Sequence, residues 1–261
     1  MKIFQIIFIL YSLITTTFVS AQEHIFKEKF HVKGEDTLQY RIMYPENFSE
    51  EETYPVVLFL HGAGERGNDN KKQLVHGSKL FTDKTNRDSF PAIVIFPQCP
   101  KNDYWSKVDV DRSTKPIGLK FEYETGPTTA MALVLDLMDE LAEKSFVKKE
   151  KIYVGGLSMG GMGTFEILSR RPDMFAAAFA ICGGGDPESV KEYANTTSLW
   201  VFHGAKDDVV DPQLSIDMVS GILKYGGKPN FTLYADDNHN SWDSAFAEPE
   251  LLKWLFSKSK K

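Results

Sequence analysis

Gly156-Leu157-Ser158-Met159-Gly160 sets a serine between glycines two positions away on either side. A strand that reverses sharply into a helix leaves no room for side chains at those two places. The pattern therefore suits a hydroxyl lifted clear of the backbone, with the free N–H groups of a helix start beside it. Its flanks agree, since Lys151-Ile-Tyr-Val154 reads as strand and Gly161-Met-Gly-Thr-Phe165 as helix. A serine hydroxyl attacks only when a base takes its proton, so a histidine held by a carboxylate must reach it. The chain order expected of this turn is serine, acid, histidine, which removes His24, His31, His61 and His76. His203 precedes every acid on its own loop and repeats the His-Gly pair of His61-Gly62, which points to strand-end packing. His239 remains, in the polar stretch Asp236-Asp-Asn-His-Asn240. For the acid, Gly204 to Asp211 offers three carboxylates; Asp211-Pro212 reads as a helix cap, which leaves Asp207 or Asp208. An oxyanion would find two backbone donors, Met159 after the serine and Ala63 in His61-Gly-Ala-Gly64.

These residues must be delivered by strand ends. Short β-rich runs recur at 24–32, 38–44, 56–60, 93–96, 152–155, 176–181, 199–202 and 231–234. From Val56 onward helical patterns separate them, the clearest running from about Pro127 to Lys144 with Met131, Val134, Met138 and Leu141 on one face. Others follow Gly160, Pro187, Pro212 and Asp243. Near-continuous apolar strands alternating with helices predict a mostly parallel, doubly wound α/β sheet, and the first two strands predict an antiparallel hairpin at one edge. In such sheets the chemistry gathers beyond the carboxyl ends of the strands, where all the residues above fall.

The 261 residues are 42% hydrophobic and 25% charged, an ordinary globular balance that excludes disordered and collagen-like chains. A net charge of −6 without a basic cluster argues against a nucleic-acid partner. Lys2, the apolar run from Ile3 to Val19 and the small residues Ser20-Ala21 predict a signal peptide over 1–21, with one catalytic domain over 22–261. The product is expected to be secreted or periplasmic, with no membrane attachment after cleavage. Cys99 and Cys182 each close an apolar strand in non-adjacent positions of the sheet. Strands lie about 4.8 Å apart, so free buried thiols are expected rather than a disulfide.

His61-Gly-Ala-Gly-Glu-Arg-Gly67, Pro97-Gln-Cys-Pro100, Gly156-Leu-Ser-Met-Gly-Gly161, His203-Gly-Ala-Lys-Asp207 and His239-Asn-Ser-Trp242 together resemble the secreted bacterial α/β-hydrolase esterases. The chain is similar over 26–256 to polyhydroxybutyrate depolymerases, feruloyl and acetylxylan esterases, and the group often labelled predicted peptidases. The resemblance implies an α/β-hydrolase fold without a cap domain. It also implies hydrolysis of carboxylic esters, on small molecules or on polysaccharides, with no metal and no organic cofactor. Ser158 would be the nucleophile, His239 the base and Asp207 the acid. Two other readings share these residues: a serine peptidase of the prolyl-oligopeptidase type and a non-catalytic carbohydrate-binding relative. The stretch 97–126 is long for a strand-to-helix connection, and its Tyr104, Trp105, Phe121 and Tyr123 would offer a stacking wall. Trp105 and Gly64 are expected to contact substrate. Asp109-Val-Asp111 lacks the glycine and distal glutamate of a calcium loop, so no metal is expected there.

Overall fold

A computed structural model describes residues 25–260. The expected signal peptide over 1–21 lies outside the described residues. Eight strands form one sheet: β1 (Lys27–Lys33), β2 (Asp36–Met43), β3 (Tyr54–Leu60), β4 (Ile93–Gln98), β7 (Val147–Leu157), β8 (Ala177–Ile181), β9 (Ser198–Gly204) and β10 (Asn230–Tyr234), in the spatial order β1-β2-β4-β3-β7-β8-β9-β10. β1 pairs antiparallel with β2, and β2 antiparallel with β4; every other neighbour is parallel. This is the α/β-hydrolase sheet with its antiparallel edge.

The reason for the continuous apolar runs is visible in β3. Val56, Leu58 and Leu60 join the cluster on one face and Val57 and Phe59 the cluster on the other, and all five are inaccessible to solvent. A strand covered on both sides cannot afford alternation. One face carries α3 (Thr129–Ala142), α4 (Met159–Arg170) and α5 (Pro212–Lys224); the other carries α6 (Trp242–Phe246) and α7 (Leu251–Phe256). Two short helices, α1 (Ser78–Thr82) and α2 (Lys84–Ser89), lead into β4.

Three details depart from the sequence pattern. α3 starts after Thr128, whose hydroxyl accepts the Met131 N–H at 3.1 Å, so Pro127 sits ahead of the cap instead of inside the first turn. The segment after Pro187 winds as a 3₁₀ turn over Pro187–Glu192, capped by Asp186. The stretch 97–126 contains a small antiparallel ribbon, β5 (Val108–Asp111) with β6 (Gly118–Phe121). The connection from β8 to β9 holds only the 3₁₀ turn and leaves no room for a cap. Cys99 and Cys182 are free and buried, at the ends of β4 and β8, three strands apart. No helix among the described residues is long and apolar enough to cross a membrane.

Candidate active site

The turn from β7 into α4 is as tight as its glycines demand. A Cβ on Gly160 would stand 1.9 Å from the Leu60 carbonyl oxygen, and one on Gly156 would stand 2.3 Å from the Gly160 oxygen. Ser158 itself holds φ 52°, ψ −117°, a left-handed conformation that non-glycine residues enter at a cost and that a surrounding structure must enforce. Its N–H is tied to the Ile181 carbonyl at 2.8 Å.

β9 and β10 are parallel neighbours in register, with His203 opposite Leu233 and Gly204 opposite Tyr234, so the loops that follow them leave the sheet side by side. They are stitched together by Ala205 N–H to Tyr234 O at 2.8 Å and Lys206 N–H to Asp237 O at 2.9 Å. The Asn238 carboxamide oxygen accepts N–H groups from both loops, Asp208 and His239. The outcome is a hydrogen-bonded line: Ser158 Oγ to His239 Nε2 at 3.0 Å, and His239 Nδ1 to Asp207 Oδ2 at 2.8 Å. With a carboxylate at Nδ1, that nitrogen carries the hydrogen and Nε2 is left to accept the serine proton. Such a line can make a serine hydroxyl nucleophilic at neutral pH.

Burial and hydrogen bonding distinguish the two neighbouring carboxylates. The Asp207 side chain is 0% exposed, and its second oxygen accepts the N–H groups of Val209 and Val210, both at 2.9 Å. Burial raises its pKa, but hydrogen bonds from His203 and His239 outweigh that and hold the carboxyl well below the usual range. Asp208 is exposed.

Met159 is the first residue of α4, so its N–H has no partner within the helix. Ala63 opens a 3₁₀ turn over Ala63–Glu65. The loop reaches the serine turn because Gly62 has no side chain: a Cβ there would lie 2.8 Å from Leu157 Cδ1. His61 shapes that loop from below. Its Nε2 accepts the Cys99 N–H at 3.0 Å, and Nδ1 lies 2.6 Å from Gly62 O, which makes Nδ1 the donor. Burial lowers the pKa of this imidazole to about 4, so it is neutral at physiological pH.

Around Ser158 lies a cleft of about 220 Å³, lined by Ala63, Gly64, Tyr104, Ile117, Val209 and Trp242, with Arg112, Glu65 and His76 at its edges. Gly64 is among the residues lining this cleft. Trp105 does not: it is fully buried, its ring edge-on to His61 at 5.3 Å, and a Cβ on Gly163 would touch its own Cβ. The expectation of a Trp105 wall is therefore corrected. Asp103 caps α3 through the Ala130 N–H at 2.7 Å, and buried Glu166 accepts from Ser106 Oγ at 2.9 Å, so the chain between them turns Trp105 inward and Tyr104 toward the cleft. The aromatic wall comes instead from Tyr104 and from Trp242, which meets His239 edge-on at 5.5 Å and stacks obliquely on His76 at 5.2 Å. The β5–β6 ribbon roofs this side, clasped by Ile117 N–H to Val209 O at 2.9 Å. Arg112, Ile117, Val209 and His76 escaped sequence reasoning; only Trp242, three residues past His239, left a usable signal.

A larger open groove of about 720 Å³ runs between α3, the end of α4 and the 187–192 turn. Its walls are paired charges such as Arg171 with Asp139 and Lys224 with Glu188 beside it, and its serine hydroxyls, Ser169 and Ser189, donate to the Glu166 and Asp186 carbonyls. Two groups among the described residues bring three ligand-type atoms together. In Cys182–Asp207–His239, the carboxylate and ring are bonded to each other, and burial pushes the thiol up and keeps it protonated. In His31–Asp136–Glu140, the Lys33 ammonium already occupies Asp136.

The chain is similar to several known proteins. A bifunctional acetylxylan esterase/xylanase of Neocallimastix patriciarum is 30% identical over 35% of this chain and 13% of its own length. An endo-1,4-beta-xylanase/feruloyl esterase of Xylanibacter ruminicola is 30% identical over 61% of this chain and 21% of its own. The chain thus spans about a fifth or less of these relatives. Among solved structures, a thermostable esterase superposes with a TM-score of 0.80 at 32% identity, covering 91% of this chain and 64% of that one. A ferulic acid esterase of Anaeromyces mucronatus shares the fold at a TM-score of 0.64 and 15% identity, over 89% of this chain and 90% of that one. The family described as Phospholipase/Carboxylesterase matches residues 47–249, well over half of the sequence, and the chain belongs to that family.

Proposed function

We propose that this chain is a serine hydrolase of carboxylic esters that works through an acyl-enzyme, with acyl groups on polysaccharides, acetyl or feruloyl, as its substrates. The observation that carries the reading is the hydrogen-bonded line Ser158–His239–Asp207 at a strained strand-to-helix turn. His239 Nε2 takes the Ser158 proton as Oγ attacks the ester carbonyl, and the carbonyl oxygen becomes an oxyanion facing the N–H groups of Met159 and Ala63. The imidazolium, held by Asp207, then protonates the departing alkoxide, the ester C–O bond breaks and the acyl group stays on Ser158. Water loses a proton to His239, adds to the acyl carbon and releases the acid, and the proton returns to Ser158 Oγ. The narrow cleft, with Tyr104 and Trp242 on its walls, suits a flat acyl group, and its open mouth suits a chain-borne alcohol. The printed activities of the two curated relatives support the same substrate class.

The test is hydrolysis of p-nitrophenyl acetate, acetylated xylan and feruloylated arabinoxylan by the purified protein and by Ser158→Ala. Loss of at least about 10⁴-fold in kcat is expected for the variant. Full activity in Ser158→Ala overturns the mechanism, and turnover of the small ester alone overturns the polysaccharide assignment.

A further inference from the structure

At the end of β9, His203 lies fully buried beneath the acid. Its Nε2 stands 3.1 Å from Asp207 Oδ2 and 3.1 Å from the Val210 carbonyl oxygen. Both are acceptors, so Nε2 bears a hydrogen. Nδ1 lies 2.7 Å from Ser215 Oγ on α5, and that hydroxyl lies 3.1 Å from Gly183 O. Building on the ester-hydrolysis reading, we propose that His203 is a positioning residue: a second imidazole that shares Asp207 Oδ2 with His239, fixing the rotation of the carboxylate and the charge it presents to the base.

The carboxylate is held from two sides. Val209 and Val210 amides grip Oδ1 from its own loop, while the two rings meet at Oδ2 from β9 and from the β10–α6 loop. A buried carboxylate has no water to share its charge, so each donor at Oδ2 weakens its pull on a protonated His239. The base must accept a proton in one step and surrender it in the next, and a carboxylate relieved by a second donor favours the surrender. The titratable groups facing Asp207 are His203, His239 and, from the end of β8, the protonated thiol of Cys182. Those polar groups facing His203 are Asp207, the Val210 carbonyl and the Ser215 hydroxyl. Ser215 keys the ring, and the ring keys the acid.

Three variants test this: His203→Phe, which keeps a ring and removes the donor; His203→Gln, which returns an N–H near the place of Nε2; and Ser215→Ala, which frees the ring. The readouts are kcat and KM on p-nitrophenyl acetate per fluorophosphonate-titrated site, the acidic limb of the pH profile, and NMR of the His239 ring across the same pH range. In His203→Phe, kcat falls about tenfold with KM unchanged, and the acidic limb moves upward by about half a pH unit. His203→Gln recovers most of both, and Ser215→Ala moves the limb the same way by less. An unmoved limb in His203→Phe overturns the proposal, including when only the number of titrated sites falls. Where that variant does not fold, an unmoved limb in Ser215→Ala overturns it. The NMR readout needs no turnover, so an inactive parent protein refutes the ester reading while the ring titration still decides the role of His203.

Discussion

The same dipeptide follows β3 as His61-Gly62 and closes β9 as His203-Gly204, and both rings are wholly buried, yet their bonding differs in kind. His61 bonds only to main chain, Gly62 O and the Cys99 N–H, and so fixes the path of the loop that carries Ala63. His203 bonds to a carboxylate and a hydroxyl as well, and so fixes side chains. What decides is the chain that follows. After Gly62 the backbone curls into a 3₁₀ turn that lines the cleft around Ser158; after Gly204 a turn brings Asp207 back onto the ring that precedes it by four residues. One residue type at equivalent places thus serves backbone shape in one case and carboxylate orientation in the other.

The largest effect that sharpens this contrast comes from the acid itself. Asp207→Asn is expected to lower kcat by about 10⁴-fold, through loss of the carboxylate at His239 Nδ1. Asp208→Asn, on an exposed side chain, should stay within about twofold, and equal losses in steady-state kinetics would break the assignment. On the other side of the comparison, His61→Phe releases the Gly62 carbonyl and the Cys99 amide, and kcat is expected to fall about 10²-fold as one oxyanion donor drifts. Its acidic pH limb stays in place, unlike that of His203→Phe; a moved limb would erase the distinction between the two histidines.

Stability gives a further test of His61. His61 is held neutral to about pH 4, whereas an unfolded chain protonates it near 6.5. Between those values the unfolded state binds the extra proton, so falling pH costs folding stability, up to roughly 3 kcal/mol across the window. Denaturant melts of His61→Phe are expected to show a flatter decline between pH 6.5 and 4 than the parent, from a lower starting stability. An unchanged slope would refute the buried neutral ring. The smallest effect belongs to Arg112, an exposed residue lining the cleft, whose positive charge lies near the Tyr104 hydroxyl. Arg112→Gln is expected to raise KM for anionic esters about two- to fivefold, less so at high salt, with kcat unchanged.

The sheet was legible because its central strands are buried on both faces, and nothing but unbroken apolar runs such as Val56 to Leu60 can fill them. The ribbon was not. Val-Asp-Val-Asp over 108–111 pairs only with four residues of β6, and its alternating charge gives no core signal. Ser158 and His239 could be singled out because a sharp turn and a fixed chain order leave few alternatives. Asp207 and Asp208 are neighbours whose difference is burial, which spacing does not carry. Trp105 had the right chemistry for a sugar or aryl wall, but a residue's type does not say which way the chain faces, and the tethers at Asp103 and Glu166 point it inward. The contact of His203 with Asp207 depends on how one loop folds back, which no periodicity encodes.

The clasp between Ile117 and Val209 couples two tasks that are separable in principle. Val209 is also one of the two amides gripping Asp207, so the ribbon that lines the cleft and the loop that holds the carboxylate meet at a single residue. Remodelling the ribbon to admit a bulkier acyl group is expected to drag on that residue and slow turnover, whereas His76, which packs on Trp242 and makes no hydrogen bond to Asp207, offers a place where selectivity can be redesigned with the carboxylate left in its grip.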